Sequence, residues 1–309
     1  MAGSMRLVLR MQRFEIVVVA VVAAAVAIAA FWVARQLDAV GFGVCYAAIE
    51  APPAGCELLG RQFYAIQEDW GAPVTSLMGL LPYAIGLFLG APVIARETER
   101  GTARLAWSVA PSRVRWYVWR VLPIVGVAVA LGALAGFAMD RFVTARAPGI
   151  DLANSFDTFG QRGVLVAMTT FVIAAGSIGL GSVIGRVLPT VILALVLGSL
   201  GVFGVHYLHG KVIAGEAVPV AEEEIRPGDL YVDQFFRLSD GRLVGWQELE
   251  QIDPEGLYGE EGPRYPIVTM VVPAERYREI EAREALILGS IGIVMLVGAG
   301  VIVARRRPG

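Results

Sequence analysis

Gly90–Arg120, GAPVIARETERGTARLAWSVAPSRVRWYVWR, sets a charged, helix-forming segment between two strongly apolar runs. One apolar run closes at Ala95, and Arg96, Glu97, Glu99, Arg100, Gly101, Thr102 and Arg104 follow. Gly101-Thr102 has the chemistry to end one helix and cap the next, because glycine adopts a left-handed turn freely and threonine accepts backbone N–H bonds. Ala103–Val109 then reads as a short helix, broken at Pro111, and Ser112 opens the next long run with Arg113 and Arg115 in its first turns. Cations at a helix N-terminus oppose the macrodipole, so another interaction must favour them. A short polar helix hung between two membrane helices suits contact with a soluble partner.

The surrounding chain has the composition of a membrane protein. Hydrophobic residues make up 56% of the 309 and charged residues 17%, with a mean hydropathy of +0.62. The net charge of −2 hides an uneven distribution in which Lys211 is the single lysine. A phosphate-binding loop needs Gly-x-x-x-x-Gly-Lys followed by a hydroxyl residue. Lys211 follows Gly204 and Gly210 with one residue too many and precedes Val212, so the chain carries no such ATPase site.

Six apolar spans are expected, over 14–34, 76–95, 117–138, 164–185, 189–206 and 285–304. Each approaches the roughly 20 residues that cross a bilayer core, the fifth being the shortest. Pro82 and Pro92 predict a kinked second helix. The turn at Arg186–Pro189 predicts an antiparallel hairpin of the fourth and fifth. Arginines gather on one side: Arg6, Arg10 and Arg13, the 96–116 segment, Arg186, and Arg305–Arg307. Short arginine-rich loops stay cytoplasmic, which sets both termini inside. The expected fold is therefore mainly α, a six-helix polytopic membrane protein. Residues 1–206 hold five helices and the cytoplasmic segment 96–116, 207–283 form an external domain, and 284–309 hold the sixth helix and a basic tail.

On this topology Cys45 and Cys56 lie outside, with ten residues between them. A disulfide there would contribute about 2.5–3 kcal/mol by loop closure. The alternative is two free thiols packed at the membrane surface. The external 207–283 segment carries sixteen acidic and eight basic residues, a net of −8. Leu230–Leu238 and Arg242–Gln247 flank Asp240-Gly241, a hairpin signal, and Tyr265–Val272 reads as another strand. Pro273 can start a helix that runs unbroken from Ala274 to Ala304, roughly 46 Å long at 1.5 Å per residue. A small, β-containing external domain follows from these signals.

Chemistry-bearing constellations are few. Glu15, Arg120, Asp140, His206 and Glu284 stand at span ends, leaving the midplane without ionisable groups, which argues against an ion-coupled carrier. His206 and His209 are spaced for one helical face, but no third ligand accompanies them, and no metal is assigned. Hydrolase motifs are absent from the sequence. Glu222–Glu224 reads as a solvated acidic loop. Gly132 and Gly136, and Ser177, Gly181 and Gly185, form small-residue stripes that let helices approach closely, within one chain or across a dimer seam.

Gly90-Ala-Pro-Val-Ile-Ala-Arg-Glu97-x-Glu99-x-Gly101-Thr102, with Arg104-Leu-Ala-Trp107 and Ser112-Arg113-x-Arg115-Trp116, resembles the type-2 ABC exporter permeases (ABC-2 type). The six-helix permeases abundant in actinobacteria are especially similar. Pro273-Ala-x-Arg276-Tyr277 and Arg305–Arg307 are similar too. The resemblance implies a bacterial plasma-membrane permease that pairs with a second permease copy or homologue and with separate ATP-binding-cassette subunits. Those subunits would bind ATP and Mg, with no cofactor and no catalysis in this chain. Residues 96–116 would be the coupling segment. Glu97, Glu99, Arg100, Gly101, Thr102, Arg104, Trp107 and Arg113 would be its ATPase-coupling residues. Membrane lipid and a hydrophobic or amphipathic compound (antibiotic, peptide or lipid) are the other partners implied, and nucleic acid is not. The competing reading is a non-transporting receptor or assembly factor whose acidic external domain binds a ligand or peptide.

Overall fold

The computed structural model describes residues 8–47, 53–109, 112–257 and 264–306. Among the described residues, five helical segments are long and apolar enough to cross a membrane: Arg13–Val40, Cys56–Glu99, Arg113–Arg146, Gly163–Ile184 and Ala274–Arg305. The protein is thus mainly helical and polytopic. The expected span 189–206 falls on a helix whose described apolar part, Val187–Gly201, is shorter than these five. In chain order the helices are α1 (Arg13–Val40), α2 (Gly43–Ala47), α3 (Cys56–Ile66), α4 (Ala72–Gly90), α5 (Pro92–Glu99) and α6 (Thr102–Val109). They continue as α7 (Arg113–Arg146), α8 (Gly163–Ile184), α9 (Val187–Ala214), α10 (Trp246–Ile252), α11 (Pro254–Leu257) and α12 (Tyr277–Arg305).

The helix that carries the expected span 76–95 begins earlier, at Cys56, and runs through α3, a π-helical turn at Gln67–Gly71, α4 and α5. Exposed Glu57 and Arg61 pair along α3, so its polar face hides it from a hydropathy reading. Pro82 sits inside α4, whereas Pro92 opens α5, where its missing N–H costs least. Gly185 takes the left-handed conformation (φ 70°) that ends α8, and its N–H bonds the Gly181 carbonyl. The reversal between α8 and α9 is therefore tighter than Arg186–Pro189, with Pro189 already inside α9.

Two compact units make up the chain. The first comprises Met1–Gly149, Thr158–Val202 and Glu281–Gly309. Its helices meet on small residues interleaved with buried large ones such as Leu37, Ile85, Phe142 and Ile178. α1 buries Ala23, Ala27, Ala30 and Ala34 and exposes Phe14, Val17, Val21 and Ile28. It packs on α4 and α7, and α7 and α4 both pack on α8. Lipid tails are as apolar as leucine, so close van der Waals approach of backbones, and not apolar burial, holds such helices together. At Gly90 a Cβ would stand 2.6 Å from the Ala174 carbonyl oxygen. At Gly136 it would overlap the Gly163 carbonyl, and at Gly132 the Thr170 side chain. Gly181 faces Ala91 and Ala95, Ser177 lies against Gly90, and Gly185 lies against Thr98 and Arg306. Both stripes thus meet other helices of the same chain. Cys45 and Cys56 form a disulfide, with Phe42 stacked near Phe63 at 4.9 Å beside it.

The second unit joins Ile150–Asp157 to Phe203–Ile280. Its four-stranded antiparallel sheet has the order β1-β4-β2-β3, with β1 at Val218–Ala221, β2 at Leu230–Arg237, β3 at Leu243–Val244 and β4 at Ile267–Val272. Gly241 (φ 86°) makes the hairpin turn, and Leu238 N–H bonds the Arg242 carbonyl. The second strand of that hairpin is shorter than Arg242–Gln247, because Trp246 starts α10. Leu249 of α10 completes a core with Phe236 and Val244. Asp253 accepts bonds from Gly256 N–H and the Tyr265 hydroxyl, both at 2.9 Å. These bonds hold its carboxyl below its usual range and push the Tyr265 phenol up.

Close approach at Gly136 yields a direct test. Gly136→Ala should destabilise the helix packing by about 1–3 kcal/mol, the usual cost of overpacking. Gly126→Ala, where a Cβ meets nothing within 4 Å, should leave the melting temperature unchanged or raise it. Thermal unfolding of the two detergent-purified variants checks this.

Candidate functional site

The functional candidate is the elbow formed by α5 and α6. Val93, Ile94 and Ala95 are buried, so α5 is wedged among the membrane helices, while Glu99, Arg100, Gly101 and Thr102 are exposed. Gly101 has φ 71°, and the Arg100 and Gly101 N–H groups bond the Arg96 and Thr98 carbonyls. A left-handed residue at this place ends a helix with its last carbonyls satisfied. Thr102 departs from the expected cap: its hydroxyl reaches back 3.3 Å to the Glu97 carbonyl instead of serving α6. The threonine therefore secures the end of α5.

Three charged residues of α5 each grip a different element. Arg96 pairs with Glu15 in the first turn of α1. Glu97, 5% exposed, pairs with Arg120 on α7. Glu99 Oε2 accepts the Val187 N–H at 3.1 Å, at the start of α9. The last contact satisfies a helix N-terminal donor with an anion, the favoured sign there. The Glu97–Arg120 pair is largely withdrawn from solvent, where losing one partner is far more costly than at a surface.

The arginine that opposes the α7 macrodipole has its compensation. Arg113 Nη1 donates to the Ala304 and Arg306 carbonyl oxygens at 3.3 and 2.6 Å, at the C-terminal end of α12. Its guanidinium also stands 5.1 Å from the Trp107 ring centre. Trp107 meets Trp116 edge-on at 5.9 Å, and Arg120 lies 5.7 Å from the Trp116 ring. Arg306 in turn donates to the Ser182 carbonyl at 2.9 Å, in the last turns of α8. Ser112 accepts the Arg115 N–H and caps α7. A stack of alternating arginine and indole thus joins α6 to α7, and guanidinium bonds tie both to α12 and α8.

Of the sequence-derived residues, Glu97, Glu99, Gly101, Thr102, Trp107 and Arg113 belong to this connected cluster, and Arg100 stands exposed at its edge. The side chains of Arg104, His206 and His209 lie outside the described residues. Glu15, Arg120 and Arg306 are cluster members that sequence reasoning placed only as span-end charges or tail. No group of three or more potential metal ligands occurs among the described residues.

The family model described as ABC-2 membrane transporter related matches residues 16–208. The chain belongs to that family. No curated protein and no solved structure matches it significantly. The ABC-2 match starts in the first turn of α1, contains the whole elbow and ends within α9, so the sheet and α12 lie beyond it. Permease domains of the ABC-2 kind are membrane components of transporters and are not themselves catalytic, and this chain is accordingly a multi-pass membrane protein.

Removing Arg120 should expose the importance of the buried pair. Arg120→Ala strands the Glu97 carboxylate and should cost about 3–5 kcal/mol. Arg100→Ala, at an exposed site, should cost less than about 0.5 kcal/mol. Denaturation of the two variants in the same detergent measures the difference.

Proposed function

We propose that this chain is the permease subunit of an ATP-binding-cassette exporter for an amphipathic or hydrophobic compound. Two ATPase subunits, holding ATP and Mg, would supply the energy, and a second permease copy or homologue would complete the pathway. The observation that carries the reading is the elbow: within the ABC-2 family match, an exposed turn is bonded through three charged residues of α5 to three separate helices. Force applied at Arg100–Thr102 would reach α1, α7 and α9 together. The proposed membrane arrangement has six spans, with α9 as the fifth and both termini in the cytoplasm. The sheet-bearing unit and the disulfide then face outward.

Co-purification tests the reading. The tagged chain, expressed with its neighbouring ATPase candidates, should retain an ATPase subunit and raise its turnover. A chain that binds no ATPase, or leaves its turnover unchanged, would favour the receptor reading instead. Gly101→Val should weaken that stimulation, because a β-branched residue at φ 71° is strained by about 1–2 kcal/mol while its Cβ meets no neighbour. Circular dichroism should show the helices intact. Stimulation unchanged in this variant would move the coupling element elsewhere.

Topology has its own measurement. On intact cells treated with a mild reductant, a membrane-impermeant maleimide should label Cys45 and Cys56. Labelling that requires permeabilised cells would invert the proposed orientation.

A further inference from the structure

The helix that ends at the elbow carries, at its other end, a groove of about 560 Å³, a volume typical of small-molecule sites. Cys56–Glu99 has 44 residues, about 66 Å at 1.5 Å each, twice the roughly 30 Å of a hydrocarbon core. Residues 76–95 fill that thickness, so α3 stands beyond it, within reach of water. One stripe of α3 lines the groove with Glu57, Gly60, Arg61 and Tyr64, and the π-helical turn adds Glu68. Phe42 supplies the other wall, held by its stack on Phe63 and by the Cys45–Cys56 bridge just beyond it. Its ring meets Tyr64 edge-on at 5.8 Å. Gly60 is the floor between them, where a Cβ would lie 3.3 Å from the Phe42 ring and 4.0 Å from the Tyr64 ring.

The walls favour a cation. Glu57 and Arg61 neutralise each other as an i, i+4 pair. Glu68 is exposed and makes no hydrogen bond or ion pair among the described residues, so the lining keeps one negative charge. Aromatic ring faces are negative as well and attract cations. An anion would have to displace Glu57 from Arg61 and would still face Glu68. A metal ion is not served either, because Glu57 and Glu68 lie about 16 Å apart along the helix. No group of three or more potential ligands accompanies them among the described residues. Tyr64 and Glu68 stand at i, i+4, close enough to hold one ammonium between them. What fits is an organic cation whose apolar body covers Phe42 and the Gly60 floor.

We infer that this groove binds a monovalent organic cation with an apolar body, an aryl- or alkylammonium, with its charged end between the Tyr64 ring and the Glu68 carboxylate. The inference stands on the groove alone and is independent of the transport role.

The test uses the full chain, purified alone and held in phosphatidylcholine nanodiscs, with empty nanodiscs as the blank. Three probes share a phenethyl body and differ in the end group: phenethyltrimethylammonium, the neutral dimethyl phenethyl carbinol and the anion hydrocinnamate. Saturation-transfer NMR titrations give the three affinities. The ammonium should bind about tenfold more tightly than the carbinol, the combined factor of one exposed ion pair and one cation–π contact. Hydrocinnamate should bind more weakly than the carbinol. Glu68→Gln and Tyr64→Leu should each remove most of the ammonium's advantage and leave the carbinol's affinity unchanged. Asp69→Asn, at an exposed acid outside the lining, should leave the advantage in place. All three positions are exposed, so the variants keep the fold. Equal binding of the ammonium and the carbinol would overturn the inference, and so would tighter binding of hydrocinnamate or binding of no probe at all. An advantage that survives Glu68→Gln or Tyr64→Leu would overturn it too. One that Asp69→Asn removes equally would assign the effect to the general field of an acidic surface and overturn the groove as its source. No ATPase is present, so none of these results bears on the exporter reading.

Discussion

Glu97 and Arg120 meet where neither is well solvated, and that pairing constrains everything around it. A charge withdrawn from water must find its opposite with good geometry, and here the opposite stands on another helix. α5 is thereby fixed to α7 at one depth and rotation. The neighbouring grips of Arg96 on Glu15 and Glu99 on the Val187 N–H then have little freedom left. Charge is concentrated at helix ends, and the apolar lengths between are left to packing.

Packing follows a different rule. α1, α4, α7 and α8 approach on alanine and glycine, and at Gly90, Gly132 and Gly136 the neighbouring chain occupies the space a side chain would need. Ion pairs select which helices are neighbours, and small residues determine how near they come. The bonds from Arg113 to the last α12 carbonyls do both. They neutralise the negative end of one helix with a cation that was unfavourable on its own.

Much of this was readable from residues alone, for definite reasons. Long apolar runs announce spans because few other structures tolerate them, and Gly101 and Ser112 act locally, so their roles follow from their neighbours in sequence. The Cys45–Cys56 bridge was readable as one of two options. The partners of Glu15, Arg96, Arg120 and Arg113 were not, since they lie up to 193 residues away and a single sequence does not say which charges meet. Nor was the Cys56–Gly71 stretch of the helix that carries the second span, whose polar face masks it. In the second unit, β1 is short and α10 displaces the end of the expected strand, because Leu249 completes the core better from a helix.

α1 is fastened to the second span at both extremities. Near one end the chain is bound through Cys45 to Cys56, and near the other Glu15 holds Arg96. Arg141 of α7 also grips Asp38 close to the disulfide end. Two parallel rods bolted at head and foot do not shear past each other, so α1 and the second span behave as one rigid plank. A push on the elbow is then not dissipated as sliding between them. On the proposed coupling role it would appear as tilt of the whole plank against α8, across the close contact at Gly90.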